Sequence, residues 1–434
     1  MLRKRIQLGL LHMAVAMTLV PINSTLNRVM IKELALSATL VAVLASFPYL
    51  FSPIQIAIGS FADRHPIMGF RRTPYILIGL ILVVAGVMTA PQVAFYMADH
   101  PVLGILIGIL VFGMWGMGFN FAAVSYLSLA SEISGEKGRS RTIAVMFFMM
   151  ISGIIITALL LSRLLDPYSP EVMVSAFRLV GMLALSLGLI GLIRLETRSA
   201  TPVLGGESRQ SVGTLLPLIF ENRQVTLFFF YLVLLLAAIL GQDILLEPFA
   251  AQAFHLPVNI TTRITSIWGV CVLFSLVIAG VLEGRIAKRS IARFGGLGAI
   301  LAFLVIVFSG MILNLSLFYV GVVLLGLATG VASVSNLSLM LDMTVEGRVG
   351  MFMGAWGMAD SFARLSGSVL SGAVRDVVSQ FATNPVSGYL VVFSLQATML
   401  IVSLLLLRKI DVSLFRQEAN SLTVVERAAI ASEA

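Results

Sequence analysis

Asp243 and Glu247 stand four residues apart in the stretch Gly241-Gln242-Asp243-Ile244-Leu245-Leu246-Glu247-Pro248, with Gln242 beside them. On a helix that spacing places both carboxylates along one face. Ionisable groups in or near a bilayer are costly and face a bundle interior or a watery cavity. One reading is therefore a polar pocket at the mouth between two halves, able to take a proton or a cation. The other is a helix that stops before Pro248 and leaves both carboxylates among outer lipid head groups. Asp360 and Arg364 repeat the four-residue spacing with opposite charges. Each lowers the cost of burying the other, which makes the pair a structural salt bridge or part of a gate or pocket. Asn120 and Asn336 lie away from helix ends and need partners inside a bundle. They line a cavity or hydrogen-bond between helices.

The elements that must hold these groups are membrane-spanning helices. The chain has 434 residues, 59% of them apolar and 12% charged, and a mean hydropathy of +1.01. A water-soluble domain of that composition could not cover its own surface. A spanning helix takes roughly 20 mostly apolar residues, and hydropathy predicts twelve. They fall at about 6–23, 38–61, 73–95, 102–131, 141–163, 174–194, 224–246, 263–283, 291–313, 315–341, 350–372 and 387–407. The longest connection, with Thr201-Pro202 and Gly205-Gly206, reads as a flexible linker. The expected division is an N-terminal half at 1–195, a linker at 196–223, a C-terminal half at 224–407 and a tail at 408–434. The lone cysteine, Cys271, excludes an internal disulfide. The net charge of +8 reports topology: Arg3, Lys4, Arg5, Arg139, Arg141, Arg289 and most other basic residues gather on the side of the termini. The positive-inside rule makes that side cytoplasmic, with membrane lipids rather than nucleic acid as the bland partner of the charge.

A second polar cluster lies between the second and third spans, where Gly59-Ser60-Phe61-Ala62-Asp63-Arg64 leads to Arg71-Arg72. A carboxylate at a helix end can pair with an arginine and face a neighbouring helix terminus, forming a charge lock. The second half echoes it at Gly280, Glu283 and Arg285. Shifting the chain by about 210 residues also lays Gly116–Glu132 over Gly326–Asp342, matching Val124-Ser125 with Val334-Ser335 and Glu132 with Asp342. The expected cytoplasmic gate is therefore Gly59, Asp63, Arg64, Arg71, Arg72 and Glu132, with Glu283, Arg285 and Asp342 as its counterpart. The fold class expected is an all-α integral membrane protein, twelve transmembrane helices in two six-helix parallel repeats. The Gly59–Arg72 stretch resembles the loop signature of the major facilitator superfamily, although the second basic pair arrives several residues late.

Closer likeness lies in three runs. They are Arg71-Arg72-Thr73-Pro74-Tyr75-Ile76, the first-helix exit Asn23-Ser24-Thr25-Leu26-Asn27-Arg28-Val29-Met30-Ile31, and Gly241–Pro248. Together they resemble the PucC/LhaA family, the bacteriochlorophyll delivery family of the same superfamily. That resemblance implies a light-harvesting complex assembly factor in the membrane of a phototroph, binding or delivering chlorophyll or bacteriochlorophyll as its bound pigment. The partners it implies are antenna polypeptides, reaction-centre subunits or pigment-synthesis enzymes. Under it, His12 becomes a candidate axial ligand for a pigment magnesium or a packed histidine, and the seventh-span carboxylates could reach that magnesium through water. The alternatives are a proton-coupled transporter of a small solute and a non-transporting scaffold on the same fold. Phosphate-binding loops, dinucleotide fingerprints, His/Cys metal spacings and paired aspartate-rich motifs are not found in the sequence. The expectation is a protein that is not an enzyme, with no catalytic residues and no metal site of its own.

Overall fold

The computed structural model describes residues 1–198, 222–282, 285–344 and 349–415, and excludes the side chains at 136–137, 282, 349–351 and 353. The predicted linker and tail fall largely outside the described residues. Among the described residues, twelve spans thread the bundle. We label them α1 (Leu2–Glu33), α2 (three pieces, Ala38–Ala45, Phe47–Leu50 and Ile54–Arg64), α3 (Thr73–Asp99), α4 (Pro101–Gly135), α5 (Gly138–Leu164) and α6 (Pro170–Leu192). The second half comprises α7 (Arg223–Gly241, continued to Phe254), α8 (Val258–Leu282), α9 (Lys288–Met311), α10 (Leu315–Asp342), α11 (Val349–Phe381) and α12 (Ser387–Lys409). Ten of these are long and apolar enough to cross a membrane by composition alone. The two others are α2, which is cut into short pieces, and α11, which carries Asp360, Arg364, Arg375 and Asp376. With an even number of spans, the start of α1 and the end of α12 lie at one end of the bundle, called here the terminal end, opposite the far end.

Three spans depart from regular α-helix, and each departure corrects an expectation. The first helix does not exit at residue 23. It runs on through π-helical turns at Pro21–Leu26 and Val29–Glu33, so Asn23–Ile31 is membrane-embedded helix. The seventh does not stop at Pro248. It narrows to a 3-10 turn at Gln242–Ile244 and resumes as Leu246–Phe254. The second is interrupted around Ser46 and again before Ile54, where Pro48 and Pro53 remove main-chain donors.

In hydrocarbon a freed backbone carbonyl must find an internal donor. At the α2 break that donor is Asn120, fully buried on α4. Its amide donates to Pro48 O at 3.0 Å and Gly116 O at 2.7 Å, and its carbonyl accepts from Gln55 at 2.6 Å. Asn120 thus supports a broken helix within the first half. Asn336 plays a parallel part in the second, accepting from the Tyr231 hydroxyl at 2.6 Å. Close backbone approach requires glycine at Gly116, where a Cβ would stand 2.7 Å from the Phe47 carbonyl carbon, and at Gly372, where it would stand 2.6 Å from Ala38 O. The first contact packs α4 on the broken α2, and the second joins the two halves.

Replacing Asn120 by Leu keeps the volume but strands the Pro48 carbonyl and the Gln55 amide. Unsatisfied buried groups of this kind cost about 1–3 kcal/mol. The Asn120→Leu protein in detergent is expected to unfold at a clearly lower temperature, and an unchanged midpoint would contradict this role.

Candidate functional site

The late arrival of Arg71-Arg72 has a local explanation. Ile67 and Phe70 exchange both main-chain hydrogen bonds at 3.0 Å, and Met68 and Gly69 between them have φ of 53° and 80°. Two central residues at positive φ make a tight reversing turn of the type I′ kind. The turn takes up the extra residues and returns Arg72 to the end of α2. There Arg72, 4% exposed, pairs with Asp63 at 2.5 Å and with Glu132 of α4 at 3.0 Å, while Arg71 reaches Glu132 at 3.4 Å. The guanidinium fork suits two carboxylates at once.

A residue not singled out in the sequence completes this lock. Glu196, just past α6, accepts from the backbone N–H of Arg71 at 2.8 Å, of Arg72 at 3.1 Å and of Thr73 at 2.7 Å, and from the Thr73 hydroxyl at 2.7 Å. It caps α3 with the charge that a helix N-terminus favours. Gly59 is buried in α2, whereas Arg64 is exposed and, among the described residues, bonds Ser60 of its own helix at 2.9 Å. In the second half Asp342 pairs with Lys288 at 2.9 Å. The expected basic partner there, Arg285, is exposed, and Glu283 lies outside the described residues.

The polar groups of α7 and α11 meet in one cleft between the halves. Asn23, Ala45, Tyr49, Leu240, Asp243, Ile244, Arg364 and Ser368 line it. Arg364 bonds Asp360 at 2.9 Å and lies over the Tyr49 ring at 5.3 Å from its centroid. The i, i+4 ion pair of α11 is thus present, and it belongs to a cleft that also holds Asp243 rather than standing apart from it. Asp243 lies in the 3-10 turn and Glu247 in the helix that follows it, and the two carboxylates meet different partners. Asp243 lines the cleft and accepts from Gln242 at 2.5 Å. Glu247, 3% exposed, takes hydrogen bonds on one oxygen from Ser24 of α1 and from Thr265 of α8, the latter at 2.6 Å. Neither carboxylate lies at the end of the α7 span, which continues to Phe254.

A row of polar contacts extends from Glu247 toward the far end. Thr25 and Thr262 hydroxyls are 3.1 Å apart, Lys32 donates to Gln252 at 2.7 Å, and Arg28 reaches Leu256 O at 3.2 Å while pairing with Glu33 at 2.5 Å. Asp376 of α11 closes the row by accepting from Ser37 and from the backbone and hydroxyl of Thr39, at 2.7 to 2.8 Å. Among the described residues, every side-chain hydrogen bond joining the halves lies at mid-depth or at this far end, Ser52 to Ser361 at 2.8 Å included. The charge locks of the terminal end stay within one half. Asn23, Ser24, Tyr49 and Asp376 escape a sequence reading because only the folded chain opposes them. His12 sits elsewhere, buried on α1 with the rings of Tyr126 and Phe147 at 5.2 and 5.4 Å.

Two parallel six-helix halves around a polar cleft define the fold of the major facilitator superfamily. The chain superposes on the nucleoside transporter NupG with a TM-score of 0.71 at 16% identity, covering 94% of this chain and 98% of that one. A bacterial homologue of the human lysosomal transporter Spinster, described as inward-facing and unoccupied, gives 0.71 at 11% identity over 93% and 95%. Residues 25–415 match the PUCC protein family, and the chain belongs to it. Protein PucC of Rhodobacter capsulatus is 28% identical over 424 residues, spanning 93% of this chain and 91% of that protein. A protein of the same species named bacteriochlorophyll synthase 44.5 kDa chain is 27% identical over 92% of each.

Arg72 is the centre of the terminal-end lock. Its loss leaves Asp63 without its partner and Glu132 with Arg71 alone, each carboxylate about a third exposed. Partial solvation keeps the cost below that of a wholly buried pair, about 1–3 kcal/mol. Arg72→Ala is expected to lower the unfolding midpoint, Arg72→Lys to recover only part of it, and Arg64→Ala to change little. Equal effects at positions 64 and 72 would contradict the assignment.

Proposed function

We propose that this protein is an assembly factor for light-harvesting complexes that binds (bacterio)chlorophyll and hands it to antenna polypeptides. The observation that carries this reading is likeness along nearly the whole chain to the PUCC protein family and to a relative named for bacteriochlorophyll synthesis. The protein acts within a photosynthetic membrane, with antenna polypeptides, reaction-centre subunits or pigment-synthesis enzymes as partners. The basic termini lie on the cytoplasmic side, in keeping with the charge pattern. It is a binding and delivery protein rather than an enzyme.

His12 is the residue whose chemistry best fits a pigment magnesium. It is 9% exposed, and its ring makes no hydrogen bond among the described residues, with Nδ1 buried and unpaired. Tyr126 and Phe147 offer flat apolar faces beside it, and Phe147 is itself 48% exposed. His12 would supply the ligand and the two rings the contact surface, while the pigment when bound supplies the light-absorbing macrocycle. A second reading, transport of a small solute, is favoured by the cleft of Asp243, Tyr49 and Arg364, which lies between the halves where carriers of this fold rock.

Protein purified gently from pigmented cells is expected to carry a (bacterio)chlorophyll absorption band and to bring down antenna subunits. His12→Leu should lose most of that absorbance without lowering the unfolding midpoint. A colourless wild-type protein, with normal antenna levels in a deletion strain, would overturn the proposal.

A further inference from the structure

We propose that the junction of α1 and α7 binds a monovalent alkali cation. The two helices are irregular where they face each other, π-helical at Pro21–Leu26 and 3-10 at Gln242–Ile244. The Ser24 to Glu247 hydrogen bond holds these segments together, and Asn23 lines the same cleft as Asp243 and Ile244. Discontinuous helices of this kind bring main-chain and side-chain oxygens to ions at mid-membrane in secondary carriers.

The side-chain oxygens at this junction are acceptors in excess. Glu247 Oε2, Gln242 Oε1, Asn23 Oδ1 and Asn27 Oδ1 are all buried and accept no hydrogen bond among the described residues. Gln242 and Asn27 cannot exchange their amide ends to relieve this. Gln242 spends its NH₂ on the Asp243 carboxylate at 2.5 Å, and Asn27 spends its own on Asn23 O at 2.9 Å, so the oxygens stay turned away from donors. The Ser24 and Thr265 hydroxyls give their protons to Glu247 Oε1 and keep lone pairs free. Nitrogen and sulfur donors are missing from the set, and oxygen-only donors suit hard cations.

Charge selects the valence. Glu247 makes no ion pair among the described residues. Arg28, the basic residue nearest it along α1, is committed to Glu33 at 2.5 Å and to Leu256 O at 3.2 Å. Asp243 lines the cleft that Arg364 shares. The group around Glu247 therefore offers one carboxylate and neutral oxygens, which one monovalent ion neutralises. A divalent ion would leave net positive charge in hydrocarbon, and magnesium in particular sheds its water reluctantly. The ion would also join the halves, since Asn23, Ser24 and Asn27 belong to the first and Gln242, Glu247 and Thr265 to the second.

The test uses full-length protein in detergent without added pigment, so its result is independent of the pigment reading. Unfolding midpoints are compared in sodium, potassium and choline chloride at equal ionic strength, alongside equilibrium binding of radioactive sodium. The proposal expects a saturable rise in midpoint with sodium or potassium over choline. Glu247→Gln, whose amide oxygen still accepts from Ser24 and Thr265, should abolish the rise. Gln242→Met should weaken the apparent affinity by about tenfold or more, a loss of at least 1.4 kcal/mol. Identical midpoints in the three salts would mean that buried water serves these oxygens and would overturn the proposal. So would a response that Glu247→Gln retains, or one confined to magnesium or calcium.

Discussion

Every polar backbone group inside the bilayer must be satisfied by the protein itself, and this constraint organises the molecule around its three irregular helices. Where α2 breaks at its prolines, Asn120 donates to the carbonyl released there. Where α7 tightens into a 3-10 turn, Gln242 and Asp243 bond each other and Glu247 turns toward α1 and α8. Where α1 widens into π turns, Ser24, Thr25 and Arg28 project into the space between the halves. Polar contacts concentrate at these points because a regular apolar helix has nothing polar to offer.

The two ends of the bundle solve different problems. At the terminal end, arginine and carboxylate pairs fasten helices within one half, with Arg72, Asp63, Glu132 and Glu196 binding α2, α3, α4 and the segment after α6. Such a unit can move as a body. Toward the far end, the halves meet through hydroxyls, amides and carboxylates, from Glu247 out to Asp376. Hydrogen bonds of this kind break and reform at modest cost, each contributing about 0.5–1.5 kcal/mol net. The arrangement suits a protein whose halves rock, and it equally suits one that keeps a single shape and presents its surfaces to partners.

Much of this plan was legible in the sequence. Hydropathy located all twelve spans, the repeat aligned Glu132 with Asp342, and the family runs pointed to the membership that whole-chain likeness shows. The Asp360–Arg364 pair followed from its spacing. Errors arose where a helix is irregular. A regular 3.6-residue period hid the 3-10 turn that holds Asp243, and it could not show that Asp243 lines the cleft while Glu247 bonds Ser24 and Thr265. Asn23–Ile31 read as an exit because its polar residues depress hydropathy, although they face partners more than 200 residues away. The turn at Met68-Gly69 was hidden because it shows only as a delay in a motif. Glu196, Tyr49 and Asp376 gain their roles from tertiary neighbours, which no local pattern records.

The central claim is that a polar seam between α1, α7 and α8 joins the halves at Glu247. Its most direct test is disulfide cross-linking of Thr25→Cys with Thr262→Cys in a Cys271→Ser background, with a protease site placed between residues 199 and 221. The two hydroxyls are 3.1 Å apart and fully buried. Mild oxidation followed by cleavage is expected to leave the halves migrating together on a denaturing gel until a reductant is added. Halves that separate without reductant, from protein whose two cysteines are intact, would contradict it.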